Sequence, residues 1–416
     1  MNMLALISFV GLFALSFGSK CCSPPQWDRG EHIEGVEVVN GTMSPFQGTA
    51  RTAYDAKNHK FMTKFTMMRG KKLEKKHILN DYSAGMKYSV TDGVCTKSQL
   101  SGPFPEACVP DEASGGFPMY FGVGDNKIEV TNYILVSPNR VTSLLVSEKC
   151  VPFSNSTTST EGETPFSVSI GYNGTTLGIS DPSVFDIPPE CSHDDHTVTD
   201  KPARTNSQVC CFPKQIESPG GLVGLVDVNG KAMMQQTTIM KSTDAINKKT
   251  VSRTNTTVGN YPTTYSIDLL DYAEGMMYKV KNGVCTKTPL RGPFPDMCTP
   301  ADATFKPVLM GTGNSTLTGR MYNYMIAGVN MTIFMTEDCV PISEMLSGHA
   351  GPTDYWYTVG YSAMTLGIKD PSVFDVPASC RQLVRSFFHL SPDEGLARKN
   401  VRGRCKGASK RRTNQK

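Results

Sequence analysis

The sequence predicts an all-β protein built as two tandem copies of one domain, and three observations carry that reading. A block of 32 residues beginning at Tyr82 matches a block beginning at Tyr272 at 18 positions without a gap, and the 15 residues ending at Cys191 match those ending at Cys380 at 11 positions. Cys21, Cys22, Cys95, Cys108, Cys150 and Cys191 recur 189 or 190 positions later as Cys210, Cys211, Cys285, Cys298, Cys339 and Cys380. A period this long repeats whole domains, because solenoid units recur every ~20–50 residues. Short β-rich segments separated by Gly turns appear in both copies, the pattern of a sandwich or a half-open barrel.

Taken in chain order, residues 4–17 form an apolar run of 14, followed by the small residues Gly18 and Ser19. That length suits the core of a signal peptide over 1–19 and falls short of the ~20 residues a membrane-spanning helix needs. No later stretch is long and apolar enough to span. Secretion follows as the expectation, and 13 cysteines fit an oxidising compartment. Six glycosylation sequons agree, at Asn40, Asn155, Asn173, Asn255, Asn314 and Asn330.

The first domain is expected over 20–191. Within it GMKYSV, then Asp92-Gly93, then VCTK reads as a hairpin, and residues 141–153 alternate in part with period two. Residues 192–209 have almost no large apolar group and read as a solvated linker. His193, Asp194, Asp195 and His196 in it read as hydrated polar residues, since the second copy has no equivalent. The second domain is expected over 210–385, with Asn282-Gly283 at the matching hairpin and partial alternation over 331–342. A helical stripe is visible only over 381–390. Residues 386–416 read as a disordered tail, with nine Lys or Arg and no acid in its last 20 residues.

Charge excludes one class of function. The chain carries 42 basic and 38 acidic residues, so without those nine tail cations the balance is 33 against 38, a net of −5. That is not a nucleic-acid-binding body. The tail itself would attract sulfated polysaccharide. Catalysis is not expected either. Seven His occur, none at equivalent places in both copies, and no nucleophile elbow, zincin or phosphate-loop motif is present.

CCSPPQW at 21–27, the two GVCTK hairpins, EKCVP and EDCVP, and above all GISDPSVFDIPPEC and GIKDPSVFDVPASC together resemble the ependymin-related family. The resemblance covers residues 20–385, departs from the usual single domain, and has no counterpart for the tail. It implies secreted, often calcium-responsive glycoproteins. It also implies two curved antiparallel sheets per domain around an apolar pocket, as in bacterial lipoprotein carriers, and so a binder of hydrophobic or lipid-like molecules. The alternative it implies is a cell-matrix adhesion glycoprotein acting through calcium, glycans and matrix or glycosaminoglycan contacts. For the cysteines it implies Cys95–Cys191 and Cys285–Cys380, with Cys150 joined to Cys21 or Cys22 and Cys339 to Cys210 or Cys211. Cys108 and Cys298 would take the members left over; sequence alone allows 15 pairings per domain. Cys405 has no assigned partner.

Two further readings concern the site. Met-rich segments at 61–68 and 321–335 could line an adaptable pocket. Asp181 and Asp370, with Asp186 and Asp375, are candidate calcium ligands, because hard cations favour carboxylate oxygen. Turn chemistry is the preferred reading of both Asp-Pro pairs, with Val184-Phe185 and Val373-Phe374 plugging the sheet.

Overall fold

Asn-Gly and Asp-Gly pairs set the register of the strands. Asn40-Gly41, Asp92-Gly93, Asn229-Gly230 and Asn282-Gly283 all hold φ between 48° and 86°, the left-handed backbone of two-residue hairpin turns. The computed structural model describes residues 21–124, 126–162, 164–192, 206–207, 209–312, 315–350 and 353–385.

In the first half these turns and their neighbours connect β1 (Gln26–Val39), β2 (Thr42–Asp55), β3 (Lys60–Arg69), β4 (Lys72–Asp81), β5 (Met86–Thr91), β6 (Val94–Gln99), β7 (Ser114–Val123), β8 (Asn126–Ser137), β9 (Arg140–Ser147), β10 (Pro152–Ser159) and β11 (Phe166–Leu177). A 3-10 turn (Pro182–Phe185) and the short helix α1 (Pro189–Ser192) follow. The second half repeats the plan with β12 (Asn206–Ser207), β13 (Gln215–Val228), β14 (Lys231–Asp244), β15 (Lys249–Val258), β16 (Thr264–Asp271), β17 (Met276–Lys281), β18 (Val284–Pro289), β19 (Thr304–Thr312), β20 (Ser315–Ile326), β21 (Val329–Thr336), β22 (Pro341–Ala350), β23 (Thr353–Tyr361) and β24 (Thr365–Leu366). A 3-10 turn (Pro371–Phe374) and α2 (Ala378–Arg385) close it. The all-β, two-copy architecture is as the sequence implies.

Each half is one antiparallel path. The first runs β6-β5-β4-β3-β2-β1-β11-β10-β9-β8-β7, and the second repeats that order from β18 through β13 and β23 to β19. The end strands do not pair with one another, so neither path closes into a barrel. Asn206–Ser207, inside the stretch read as linker, adds a two-residue strand beside Phe305 and Thr304. The 3-10 turns cap one end of each concave face. Phe185 packs on Ala53, Met62 and Leu79, and Phe374 on Val251, Leu269 and Tyr278.

The other end of each concave face is covered by the other half. Phe121, Ile128, Val130 and Phe153 share one buried cluster with Met310, Leu317, Met321, Phe334 and Ile342. Subtracting 189 pairs Phe121 with Met310, Ile128 with Leu317 and Phe153 with Ile342. The halves therefore meet through equivalent surfaces, as in an isologous dimer. Two hydrogen bonds cross the seam at neighbouring places: the Leu309 N–H donates to Asn173 Oδ1 at 2.8 Å, and the Ala363 N–H to the Tyr120 carbonyl at 3.1 Å. Leu309 is the counterpart of Tyr120, and Ala363 of Gly174.

Candidate ligand cavity between the halves

A cavity of about 670 Å³ lies between the two concave faces and takes its walls from both. The resemblance implied a pocket inside each domain. The large cavity here is shared instead, because the end of each face away from its own 3-10 turn is covered by the opposite half.

Ladder register explains the walls. In the first half Asn132, Leu145, Ser154, Gly171, His32 and Thr49 are successive cross-strand neighbours on β8, β9, β10, β11, β1 and β2. In the second, Met321, Phe334, Ser343, Gly360, Gly221 and Thr238 hold the equivalent places, with Asn255 next in line. All of these residues line the cavity. Cross-strand neighbours share a face because side chains alternate along each strand.

The cavity is apolar near the shared core, where Met119, Phe121, Leu145, Met310, Met321 and Phe334 meet it. Hydroxyl and amide groups line the rest, including Ser143, Ser169, Gln236 and Thr358. Three residues with carboxylate, imidazole or ammonium side chains border it: Glu31, His32 and Lys306. Two of these are engaged. Glu31 Oε1 accepts from Arg29 Nε at 3.0 Å, while the Arg29 guanidinium stacks on Trp27 and Tyr172 at 4.1 and 3.5 Å. His32 Nε2 meets Glu34 Oε1 at 2.6 Å. An apolar chamber of this size with a few placed polar groups is the usual form of a small-molecule site.

Behind the second wall, Glu344 alternates with the lining residues Ser343 and Met345 and so faces away. Burial pushes its carboxyl up, against the opposing pull of Lys241 and a hydrogen bond with Tyr361. Burial, then the charge of Glu344, lifts Tyr361 well above its ordinary value and Tyr324 to about 12. The first half has Asn155 in place of Glu344.

The other expected residues fall in several places. Six disulfides join Cys21–Cys150, Cys22–Cys108 and Cys95–Cys191, and likewise Cys210–Cys339, Cys211–Cys298 and Cys285–Cys380. Asn40 and Asn330 are exposed, Asn155 is half-buried on β10, and Asn173 and Asn255 border the cavity. Met321 and Phe334 of the second Met-rich segment line it, whereas Met62 and Met67 of the first pack in the core.

Asp181 and Asp370 act as caps. Asp181 Oδ1 accepts from the Ser183 N–H at 3.1 Å and from its hydroxyl at 2.6 Å, and Asp370 Oδ1 accepts from the Ser372 N–H at 2.9 Å. These bonds hold both carboxyls below the usual range. Asp186 and Asp375 close the same turns through their backbone N–H groups. Among the described residues no three His, Cys, Asp or Glu side chains converge as a metal would need, and no helix is long and apolar enough to cross a membrane. The 1–19 segment, the His193–His196 tetrad, Asn314, the 386–416 tail and Cys405 lie outside the described residues.

Sequence reasoning missed the glycines on the walls. A Cβ at Gly171 or Gly360 would meet nothing within 4 Å, and at Gly221 only the Thr237 carbonyl at 3.9 Å. None of the three has a positive φ. Their signal was glycine inside a strand with neither turn nor bulge to require it.

Comparison with known proteins fits this plan. Ependymin-related protein 1 of Haliotis asinina is 27% identical over 200 residues, 45% of this chain but 98% of that protein. Development-specific protein LVN1.2 of Lytechinus variegatus is 29% identical over 131 residues, covering 27% of this chain and 69% of its own. Among solved structures, MucB in complex with MucA(peri) aligns over 82% of this chain and 94% of its own at 9% identity and a TM-score of 0.18, a likeness too slight to bear on the fold. The Ependymin family model matches residues 70–191 and again 260–380, together more than half of the sequence, so this chain belongs to the ependymin family and carries its domain twice.

Proposed function

We propose that this protein is a secreted, non-catalytic carrier that holds a hydrophobic or lipid-like ligand in the cavity between its halves. The observation behind this reading is the chamber of about 670 Å³ whose walls, apolar beside the shared core, come from both copies. Burying a ligand's apolar surface there supplies roughly 25 cal/mol per Å² removed from water. Six described disulfides fit an extracellular setting. The test is native mass spectrometry of the full chain from a secretory host, with lipid analysis of what dissociates and titration of the stripped protein with a fluorescent fatty acid and a fluorescent sterol. Bound lipid that can be removed and replaced is the expected result. A chain that arrives empty and takes up neither probe would overturn the reading.

A further inference from the structure

The two walls of the cavity occupy equivalent positions but are chemically different. β1 carries Glu31, His32 and Glu34 where β13 carries Gly220, Gly221 and Val223. Asn132 stands where the second half has Met321. Gly221 and Gly360 are direct cross-strand partners, so the second wall has a patch of bare backbone between Ser343 on one side and Thr238 on the other. The residues that flank it, Ser343 and Thr238, stand three strand spacings apart, about 14 Å. In the first wall the matching patch is covered on one side, because His32 stands beside Gly171.

The glycines are not needed for the fold. Added Cβ atoms would find room at Gly171, Gly221 and Gly360, and the backbone there is ordinary strand. Glycine inside a strand weakens it, and such positions otherwise mark a close approach to backbone by another body. Here the open space is the cavity itself.

Resting on the carrier reading, we infer that the cavity takes one molecule per chain, in one orientation: a flat, rigid, fused-ring amphipath with a hydroxyl at one end, its ring body on the Gly221–Gly360 floor and its hydroxyl at His32. A flat body gains dispersion contact along the whole of a side-chain-free floor. A flexible acyl chain would leave much of it unfilled. The hydroxyl end is placed by His32, whose Nε2 is held by Glu34 and whose other ring nitrogen has no hydrogen bond among the described residues. The opposite orientation would bury that hydroxyl against Met321 and Phe334.

The test uses the delipidated full chain, with dehydroergosterol, its acetate ester and cis-parinaric acid as fluorescent probes. Dehydroergosterol is expected to bind at one per chain. Gly360→Val and Gly221→Val fill the floor and should weaken it by about tenfold or more. Gly360→Ala is the smaller step, should weaken it about fourfold, and carries the test if a valine variant fails to fold. His32→Ala should weaken dehydroergosterol and leave the ester unchanged. Binding of cis-parinaric acid without the sterol, two sterols per chain, or unaltered sterol affinity in Gly360→Val and Gly360→Ala would each overturn this inference while leaving the carrier reading intact. Binding of neither probe class would overturn both.

Discussion

Replacing Leu317 by Ala tests whether the halves share one core or merely touch. Leu317 is 5% exposed and sits in the cluster that also holds Phe121, Ile128, Val130 and Phe153 of the first half. Truncating a buried Leu leaves a cavity and costs about 3 kcal/mol. The shift this produces depends on the size of the cooperative unit. At ~2.1 cal/mol/K per residue, a unit of about 350 residues unfolds with ~0.7 kcal/mol/K, so the melting temperature should fall by about 4 °C. A lone half of about 175 residues would fall by about 8 °C. Scanning calorimetry of wild type and variant reads this directly, with Leu269→Ala, whose side chain packs only within the second half, as the comparison. One transition, moved about equally by both variants, is expected. Two transitions, of which only one moves in Leu317→Ala, would refute the shared core.

Three other outcomes follow from the geometry. Glu344→Gln should stabilise the chain at neutral pH, because the folded carboxyl is raised above its ordinary 4.5 and its ionisation opposes folding. The stability linked to its protonation is complete below the unfolded value and lost as pH rises through the folded one, so the gain of the variant should vanish in melts near pH 4. Asp370→Ala removes a cap and should lower the midpoint of denaturant unfolding by less than Phe374→Ala, which empties the plug and should cost about 3–5 kcal/mol. Replacing Cys95 and Cys191 together by Ser opens a loop closed across 96 positions and should lower stability by up to about 4–5 kcal/mol, measured by the same unfolding curves.

Duplication and the short hairpins were legible because they depend on local chemistry. Asp92-Gly93 and Asn282-Gly283 need left-handed backbone whatever surrounds them. The long first strand was not legible, because its buried charges erase the period-two alternation. Arg51 pairs with Asp28, Arg29 with Glu31 and His32 with Glu34, so polar residues lie buried along β1. The cavity was hidden for a different reason. Alternation in β20 says that Leu317 is covered, but a partner in the same half and one in the other would leave the same pattern.

Fusion of the two copies has a chemical consequence. Two identical chains meeting across a two-fold axis must present identical walls, so a polar group at one end of a shared cavity is repeated at the other. Joined in one chain, the copies keep the packing that needs equivalence and are free elsewhere. The shared core has retained size and apolarity at Phe121 and Met310, Ile128 and Leu317, and Phe153 and Ile342. The walls have not: His32 faces the same chamber as Gly221, and Asn132 the same chamber as Met321. A relative that matches 45% of this chain with 98% of its own length has one copy to work with. Here the second copy supplies a differently surfaced wall, which is what a site needs in order to tell the two ends of an amphipathic molecule apart.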